Sequence, residues 1–200
     1  MEKNQVILDV SARHVHLRPE DVEVLFGKPD ALTLRQNPQG VMAQVANGME
    51  VFNERVAIVG PKGSIKNVTI LGPLRNYVQV EVSKTDARML GVDAPIRKSG
   101  NHEGSPGIEI VGPCGSLKVD KGCIVARRHI HMSIDSAAAL GIKHGDAVRV
   151  EVKDTERSLT FGDVFIEAYT NDEIPVVMHL DTDEANAANI KSGYIGTILP

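Results

Sequence analysis

The stretch Val10-Ser-Ala-Arg-His-Val-His-Leu17 returns later in the chain, slightly changed, as Val125-Ala-Arg-Arg-His-Ile-His-Met132. A second motif also occurs twice, as Val59-Gly-Pro-Lys-Gly-Ser-Ile65 and as Val111-Gly-Pro-Cys-Gly-Ser-Leu117. Each His-x-His pair continues a β-branched run and is followed by a short helical pattern and a glycine. Repetition of this kind predicts two related β-barrel units, each contributing one His-x-His pair.

Short runs rich in Val and Ile, separated by Gly and Pro, predict short strands rather than long helices. The predicted strands are Val6–Val10, Val56–Val59, Val68–Leu71, Val78–Val82, Ile108–Val111, Ala147–Val152, Val164–Ala168 and Ile195–Leu199. Three short helices are expected: one that begins at Pro19 and is ended by Gly27, and two over Ser136–Leu140 and Asp183–Ile190. The fold class is therefore mainly β.

Composition excludes several classes of function. The chain has 200 residues, a formal net charge of −4, no basic tract and only 4% aromatic residues, which argues against nucleic-acid binding. No apolar run is long enough to cross a membrane, and the polar N-terminus lacks a signal-peptide core, so a cytoplasmic protein is expected. The two cysteines, Cys114 and Cys123, are expected to be free thiols. We find no nucleotide-binding P-loop, Rossmann fingerprint or serine-nucleophile elbow.

Four of the seven histidines form the pairs His14/His16 and His129/His131. On a strand, residues i and i+2 point to the same face, so each pair presents two imidazoles side by side. This arrangement suits a metal with tetrahedral preference, most simply zinc. The third ligand is left open between two polar residues in apolar strands, His179 and Glu81. The remaining loop histidines, His102 and His144, are predicted to be surface residues.

One resemblance is misleading. His14-x-His16-x3-Glu20-x6-Gly27 matches the first metal motif of cupins, but Pro19 and the acidic first turn place Glu20 at a helix start. The second copy of the histidine pair has no glutamate at that place, so the cupin interpretation is disfavoured.

Arginines are the other polar feature. Arg13, Arg127 and Arg128 flank the histidine pairs, and Arg75 follows Ile70-Leu-Gly-Pro-Leu74. A guanidinium beside a metal suits an anionic substrate, because its planar fork matches phosphate or carboxylate. Surface solvation is the alternative, favoured for either Arg127 or Arg128.

Five segments together resemble the phosphate propanoyltransferase family, a group of phosphotransacylases. They are Ser11-Ala-Arg-His-Val-His-Leu17, Ile70-Leu-Gly-Pro-Leu-Arg75 with Gln79-Val-Glu81, Arg97-Lys-Ser-Gly100 with Gly104-Ser-Pro-Gly107, Ala126-Arg-Arg-His-Ile-His-Met132, and Met178-His-Leu-Asp-Thr-Asp-Glu-Ala-Asn186. The resemblance runs from about Val6 to Leu199. It implies two small β-barrel domains capped by short helices, residues 1–12 with 127–200 and residues 13–126, and a metal site between them. This differs from a simple division into two halves.

The resemblance also implies a reaction, in which propanoyl-CoA or acetyl-CoA and phosphate give acyl phosphate and CoA, reversibly, at a dinuclear zinc site. His14, His16 and Glu81 would bind one zinc ion, and His129, His131 and His179 the other. Arg75 would be the catalytic, phosphate-binding residue, with Ser99 near it. Coenzyme A would contact Ser11, Ala126 and Asn186. The protein is expected to be a homo-oligomer from a family associated with 1,2-propanediol degradation and bacterial microcompartments.

Some alternatives stay open. Encapsulated members of the family carry an amphipathic N-terminal extension that this sequence does not show, so either the protein functions free in the cytoplasm or it belongs to a microcompartment and its extension lies outside this sequence. A dinuclear zinc hydrolase would use the same histidines to activate water, with Glu81 as a base. A metal-stabilised binding module would have closed, four-coordinate sites. Direct transfer is the simplest mechanism, and an acyl-enzyme on Cys114 or Cys123 is the alternative.

Overall fold

A computed structural model describes residues 3–36, 49–170 and 175–199 and confirms the mainly β prediction. The chain divides into two compact units, residues 1–12 with 127–200 and residues 13–126. The first unit contains β1 (Gln5–Ser11), β10 (His129–Ser133), β11 (Ala147–Val152), β12 (Leu159–Tyr169), β13 (Val177–Asp181), β14 (Tyr194–Leu199), α3 (Ile134–Ala139) and α4 (Thr182–Ala188). The second contains β2 (His14–His16), β3 (Val51–Val59), β4 (Ser64–Leu71), β5 (Gln79–Glu81), β6 (Ile96–Arg97), β7 (Ile108–Val111), β8 (Ser116–Val119), β9 (Cys123–Ala126), α1 (Pro19–Phe26) and α2 (Lys84–Leu90).

The first unit is a closed barrel with strand order β1-β13-β10-β12-β11-β14. Strand β1 runs parallel to β13, and β10 runs parallel to β12. Ile130 and Met132 of β10 are fully buried in the barrel core. Because side chains alternate along a strand, His129 and His131 lie on the opposite face of β10.

The second unit is an eight-stranded sheet with order β6-β9-β5-β2-β4-β3-β7-β8. The short strands β2 and β5 are antiparallel neighbours near its centre, and every residue of both is buried. Val15 and Val80, the middle residues of these strands, belong to the apolar core. Strand alternation therefore places His14, His16 and Glu81 on the other face of the sheet.

Strands β2 and β5 form one antiparallel pair, and β10 and β13 form another. Each of these four strands is followed by a helix: α1 after β2, α2 after β5, α3 after β10 and α4 after β13. Side chains of Ser83, Ser133 and Asp181 accept N-cap hydrogen bonds for α2, α3 and α4. Helix α1 ends at Gly27, whose φ of 81° is the left-handed conformation that favours glycine. Helices α3 and α4 lie one or two residues earlier than predicted.

Helix α2 was missed by the sequence interpretation. Its start is marked by Ser83 and Asp86, which form a reciprocal capping box, and its end by Gly91 in the left-handed conformation. Between them, Lys84–Leu90 buries only three residues, so the apolar pattern is too weak to indicate a helix by itself. The capping residues, rather than the apolar pattern, were therefore the sequence signal for this helix.

The repeated Gly-Pro-x-Gly-Ser motif forms two hairpin turns of the second unit, β3–β4 and β7–β8. A Cβ at Gly60 would lie 2.3 Å from the Leu90 carbonyl oxygen at the end of α2. A Cβ at Gly112 would lie 2.3 Å from the Leu25 carbonyl oxygen of α1. Each turn thus packs against a helix end so closely that only glycine fits. Both copies of this motif belong to one unit.

Candidate metal centre and anion site

The first histidine pair meets a carboxylate across the β2–β5 ladder. Glu81 is the Cα partner of His14. Its Oε2 lies 3.4 Å from His14 Nε2, and its Oε1 lies 3.9 Å from His16 Nε2. Within the described part of the chain, these three residues form the group whose metal-ligating atoms lie within 4.8 Å of one another. All three side chains are buried.

His16 is held in the form that a metal ligand needs. Its Nδ1–H donates to the Leu71 carbonyl at 3.2 Å, so its lone pair is on Nε2. Nε2 is buried and has no hydrogen-bond partner. Burial, with the positive charge of His14 and Arg75, lowers the pKa of His16 to about 3. A neutral imidazole with a buried, unsatisfied acceptor is what a zinc site provides before metal binding.

Glu81 is held as a carboxylate. Burial raises the pKa of the Glu81 carboxyl. The charge of His14 and its hydrogen bond to Glu81, together with the charges of His16 and Arg75, outweigh burial and keep this pKa well below its usual range. Gln79 Nε2 donates to Glu81 Oε1 at 2.6 Å, and the Ser99 hydroxyl donates to the same oxygen at 3.2 Å. The donor set is therefore two imidazoles and one ionised carboxylate, all of which zinc accepts.

A second group of histidines lies in the barrel, although among the described residues only the His14/His16/Glu81 group has all its ligating atoms within 4.8 Å of one another. His179 is the Cα partner of His129 on the antiparallel neighbour strand, as Glu81 is of His14. The Nε2 atoms of His129 and His131 lie 2.8 Å apart, and the ring centroid of His179 lies 5.3 Å and 5.0 Å from theirs. Two nitrogens bound tetrahedrally to one zinc ion lie about 3.4 Å apart, so the 2.8 Å contact is a hydrogen bond between the two rings, and the pair would have to separate slightly to bind a metal.

Two contacts orient the rings of this cluster. His129 Nδ1–H donates to the Arg127 carbonyl at 2.7 Å, which leaves the lone pair on Nε2. Asp9 Oδ2 lies 3.7 Å from His179 Nδ1. Metal-ligating histidines commonly direct their second nitrogen at a carbonyl or carboxylate in this way.

Arg75 lies next to the first cluster, and its hydrogen-bond partners are neutral groups. Its Nη1 donates to the Tyr77 hydroxyl at 2.8 Å and to the Ser99 hydroxyl at 3.3 Å, and its Nη2 lies 3.9 Å from the Met49 sulfur. All three partners are neutral. By contrast, carboxylates pair with Arg13, Arg18 and Arg128, through Asp86, Asp21 and Glu184 respectively.

The charge of Arg75 is therefore available for an anion, and Ser99 connects it to Glu81. Arg127 contacts the Phe165 ring, with its Cζ 3.6 Å from the ring centroid. The flanking arginines thus have structural partners of their own, and Arg75 is the best candidate for anion binding.

Comparison with known proteins identifies the family. The family model described as phosphate propanoyltransferase matches residues 7–191. The chain belongs to the phosphate propanoyltransferase family. Relatives named phosphate propanoyltransferase include one from Lachnoclostridium phytofermentans, 50% identical over 195 residues, covering 97% of this chain and 87% of the relative. One from Thermotoga maritima is 48% identical over 97% of this chain and 89% of the relative, and one from Salmonella typhimurium 45% identical over 94% and 85%.

This phosphate propanoyltransferase family member is an acyltransferase. Of the other residues implied by the resemblance, Ser11 ends β1, Ala126 ends β9, and Asn186 is exposed on α4. Glu20, the cupin-like residue, lies on helix α1 with its Oε1 3.3 Å from Arg18 Nη1. It is not a member of the His14/His16/Glu81 cluster.

Within residues 3–36, 49–170 and 175–199, no helix is long and apolar enough to cross a membrane.

His102 is less exposed than the surface position predicted for it. His102 is half-buried, its Nε2 lies 2.9 Å from Gln79 Oε1, and its ring packs edge-on against Tyr77. His144 is exposed as predicted, and its Nδ1 accepts from the Ala168 amide. Sequence reasoning also missed Gln79. The signal was present, because Gln79 and Glu81 have the same i, i+2 spacing on one strand as His14 and His16.

The lowered pKa of His16 predicts how stability depends on pH in the metal-free protein. In the unfolded chain, His16 takes up a proton as the pH falls below about 6.5. In the folded protein, the same imidazole stays neutral down to about pH 3. Unfolding therefore becomes easier as pH falls, and His16 alone should lower the free energy of unfolding by about 2 kcal/mol between pH 7 and pH 5. Urea titrations of chelator-treated protein measure this loss. His16→Gln should flatten the profile in this interval and His144→Gln should not; an unchanged slope in His16→Gln would contradict the expectation.

Proposed function

We propose that the chain transfers an acyl group between coenzyme A and phosphate, converting acyl-CoA and phosphate reversibly into acyl phosphate and CoA. The observation that carries the proposal is the link from Arg75 through the Ser99 hydroxyl to Glu81. It joins a guanidinium with neutral partners, suited to phosphate, to a carboxylate within a candidate metal-binding group. Propanoyl-CoA is the proposed donor, because the relatives are named for it, and acetyl-CoA is the closest competitor.

We also propose two zinc ions per chain, one bound by His14, His16 and Glu81 and one by His129, His131 and His179. The buried, unpartnered Nε2 of His16 supports the first site. The facing Nε2 atoms of His129 and His131 support the second. When bound, zinc supplies a Lewis acid for the thioester carbonyl and a borderline-soft partner for the CoA thiolate. Three protein ligands at each zinc would leave a position open for substrate.

Arg75 would hold the phosphate through two N–H groups, with Ser99 beside it. In the reaction, a phosphate oxygen attacks the thioester carbonyl carbon, the carbon–sulfur bond breaks, and CoA leaves as a thiolate. The guanidinium orients the attacking oxygen and keeps its positive charge throughout, because arginine side chains stay protonated in proteins. The proposed gain from Arg75 is therefore positioning of phosphate rather than proton transfer.

Direct transfer is preferred over a covalent acyl-enzyme. Cys123 is completely buried, and burial raises the pKa of its thiol to about 12, so almost none of it is thiolate at neutral pH. Cys114 lies in the β7–β8 turn, where its backbone N–H donates to the Leu25 carbonyl of α1. Neither cysteine contacts the candidate metal ligands in the described hydrogen-bond network. Coenzyme A contacts at Ser11, Ala126 and Asn186, and a homo-oligomeric state, remain part of the proposal.

The first test is thiol release from propanoyl-CoA or acetyl-CoA by purified protein, with and without phosphate. We expect release to require phosphate, to stop when a chelator removes the metal, and to return with added zinc. The ratio of kcat/KM values ranks the two acyl groups. Thiol release without phosphate would instead indicate a hydrolase, and the absence of release with either substrate would contradict the proposed function.

A further inference from the structure

Gln79 uses every hydrogen-bonding position of its side-chain amide, although it is completely buried. Its Nε2 donates to Glu81 Oε1 at 2.6 Å and to Ser99 Oγ at 2.9 Å. Its Oε1 accepts from the Gly100 backbone N–H at 2.8 Å and lies 2.9 Å from His102 Nε2. Two donors and two acceptor lone pairs are the full capacity of an amide, so no position is left over.

The orientation of this amide follows from its partners. A backbone N–H can only donate, so the atom facing Gly100 must be the oxygen, Oε1. The atom facing the ionised Glu81 carboxylate must then be Nε2, which donates. His102 is consequently the donor at its own Nε2. The network therefore fixes Gln79 in one orientation, and reversing the amide would place an oxygen against a carboxylate.

The partners of Gln79 belong both to the proposed zinc site and to the proposed phosphate site. Glu81 is a proposed zinc ligand, and Ser99 also accepts from Arg75 Nη1 at 3.3 Å. Gly100 and His102 continue the same loop, residues 99–102. Gln79 is also the Cα partner of His16 across the β2–β5 ladder, which places it beside the proposed ligands without being one itself.

We propose that Gln79 is a positioning residue with two roles. It orients the Glu81 carboxylate for zinc, and it links that carboxylate to the loop of residues 99–102, whose Ser99 is proposed to lie beside the phosphate. This inference rests on the proposed function. It goes beyond that function because it assigns a role to a residue that would touch neither the metal nor the phosphate. Gln79 would act through Glu81 on one side and through Ser99 and Gly100 on the other.

The chemistry of the site explains why glutamine is suited to this position. Glutamate would place a second carboxylate about as close to Glu81 as the present 2.6 Å contact, and would lose both donors. Methionine has a similar length but could make none of the four bonds, leaving Gly100 N–H and one Glu81 oxygen without this partner. Asparagine is one methylene shorter, so it could not span from Glu81 to the loop.

The test compares wild type with Gln79→Met and Gln79→Glu, with Gln36→Met as a matched control at an exposed position in the same unit. Zinc affinity is measured by competition with a chromophoric chelator in the absence of substrates. Loss of an outer hydrogen bond to a metal ligand typically weakens metal binding 10- to 100-fold. We expect a weakening of roughly that size for one zinc equivalent in both Gln79 variants, and none in the control.

Kinetics supply a second readout. At saturating zinc, where the weakened metal site is filled, we expect the KM for phosphate to rise roughly 10-fold in Gln79→Met, while the KM for acyl-CoA stays within about 2-fold, because the loop that carries Ser99 is then the part still disturbed. Ser99→Ala, which removes one bond each from Gln79 and Glu81, should shift the zinc affinity in the same direction by a smaller factor. It keeps the proposal testable if circular dichroism shows the Gln79 variants unfolded.

Unchanged zinc affinity and an unchanged phosphate KM in folded Gln79 variants would overturn the inference, as would equal weakening of all bound zinc. If Gln79→Met and Gln79→Glu do not fold, unchanged zinc affinity in Ser99→Ala would overturn it. Wild-type protein that binds zinc and requires phosphate, together with unaffected variants, would leave the proposed function standing. Wild-type protein that does neither would overturn the proposed function itself, and this inference with it.

Discussion

His129→Ala is expected to remove one of two zinc equivalents and to lower kcat by at least about 1000-fold, while the barrel stays folded. The loss is large because a Lewis acid at a thioester carbonyl stabilises the transition state by several kcal/mol, and about 4 kcal/mol corresponds to 1000-fold. The fold should survive because His129 lies on the face of β10 opposite Ile130 and Met132, which fill the core. Zinc stoichiometry, turnover and thermal unfolding are measured on the same preparation.

His144→Ala is the matched control, because it removes an exposed imidazole from the same unit. It should keep wild-type zinc content and turnover. His14→Ala should behave like His129→Ala in the other unit, losing the other zinc equivalent and a comparable share of kcat. If His129→Ala unfolds when its zinc is lost, the metal has a structural role. If it loses zinc and remains fully active, that zinc ion is not part of catalysis.

The sequence predicted the pairs that one strand can specify by itself. His14 and His16, or His129 and His131, must lie on one face wherever that strand is placed, because side chains alternate with a period of two. Short Val- and Ile-rich runs located the strands, and a capping glycine located the Gly27 end of α1. These predictions depend on a few consecutive residues and on local backbone geometry, which the sequence states directly.

The third member of each cluster depends on cross-strand register, which a single sequence does not state. Sequence reasoning from the residues left His179 and Glu81 as alternatives. In the structure each is opposite a different histidine: Glu81 pairs with His14, and His179 pairs with His129. A shift of one residue in either ladder would turn these side chains to the opposite face. The choice was therefore decided by pairing between strands that are far apart in the chain.

Gln79 and His102 were missed for a related reason. A polar residue in a buried strand is explained by its partners, and those of Gln79 include a loop about 20 residues further along the chain. Residues 99–102 contain Gly and Asn, which sequence reasoning assigns to an exposed turn. The contacts of Ser99 with Glu81, of Gly100 with Gln79 and of His102 with Gln79 and Tyr77 show that this loop is held in place. The polar network, rather than the apolar core, is thus the part of the site that sequence predicts least well.

Arg75→Ala is expected to raise the KM for phosphate roughly 100-fold and to change the KM for acyl-CoA by less than about 3-fold. Each hydrogen bond from a charged donor contributes about 1.5–3 kcal/mol when its partner is otherwise left unsatisfied, and two N–H groups of Arg75 would be lost. The selective effect follows because the neutral partners of Arg75 are retained by other groups: Ser99 still bonds to Gln79 and Glu81. Initial rates over a matrix of both substrate concentrations separate the two constants.

Arg75→Lys keeps the charge but not the planar fork, so it should recover part of the phosphate affinity and less of kcat, since orientation is what the fork supplies. Arg88→Ala removes an exposed arginine from helix α2 in the same unit and is expected to match wild type in both constants. Equal increases in both KM values for Arg75→Ala would indicate a general disturbance of the site. An unchanged phosphate KM would mean that phosphate binds elsewhere, even though Arg75 lacks a carboxylate partner among the described residues.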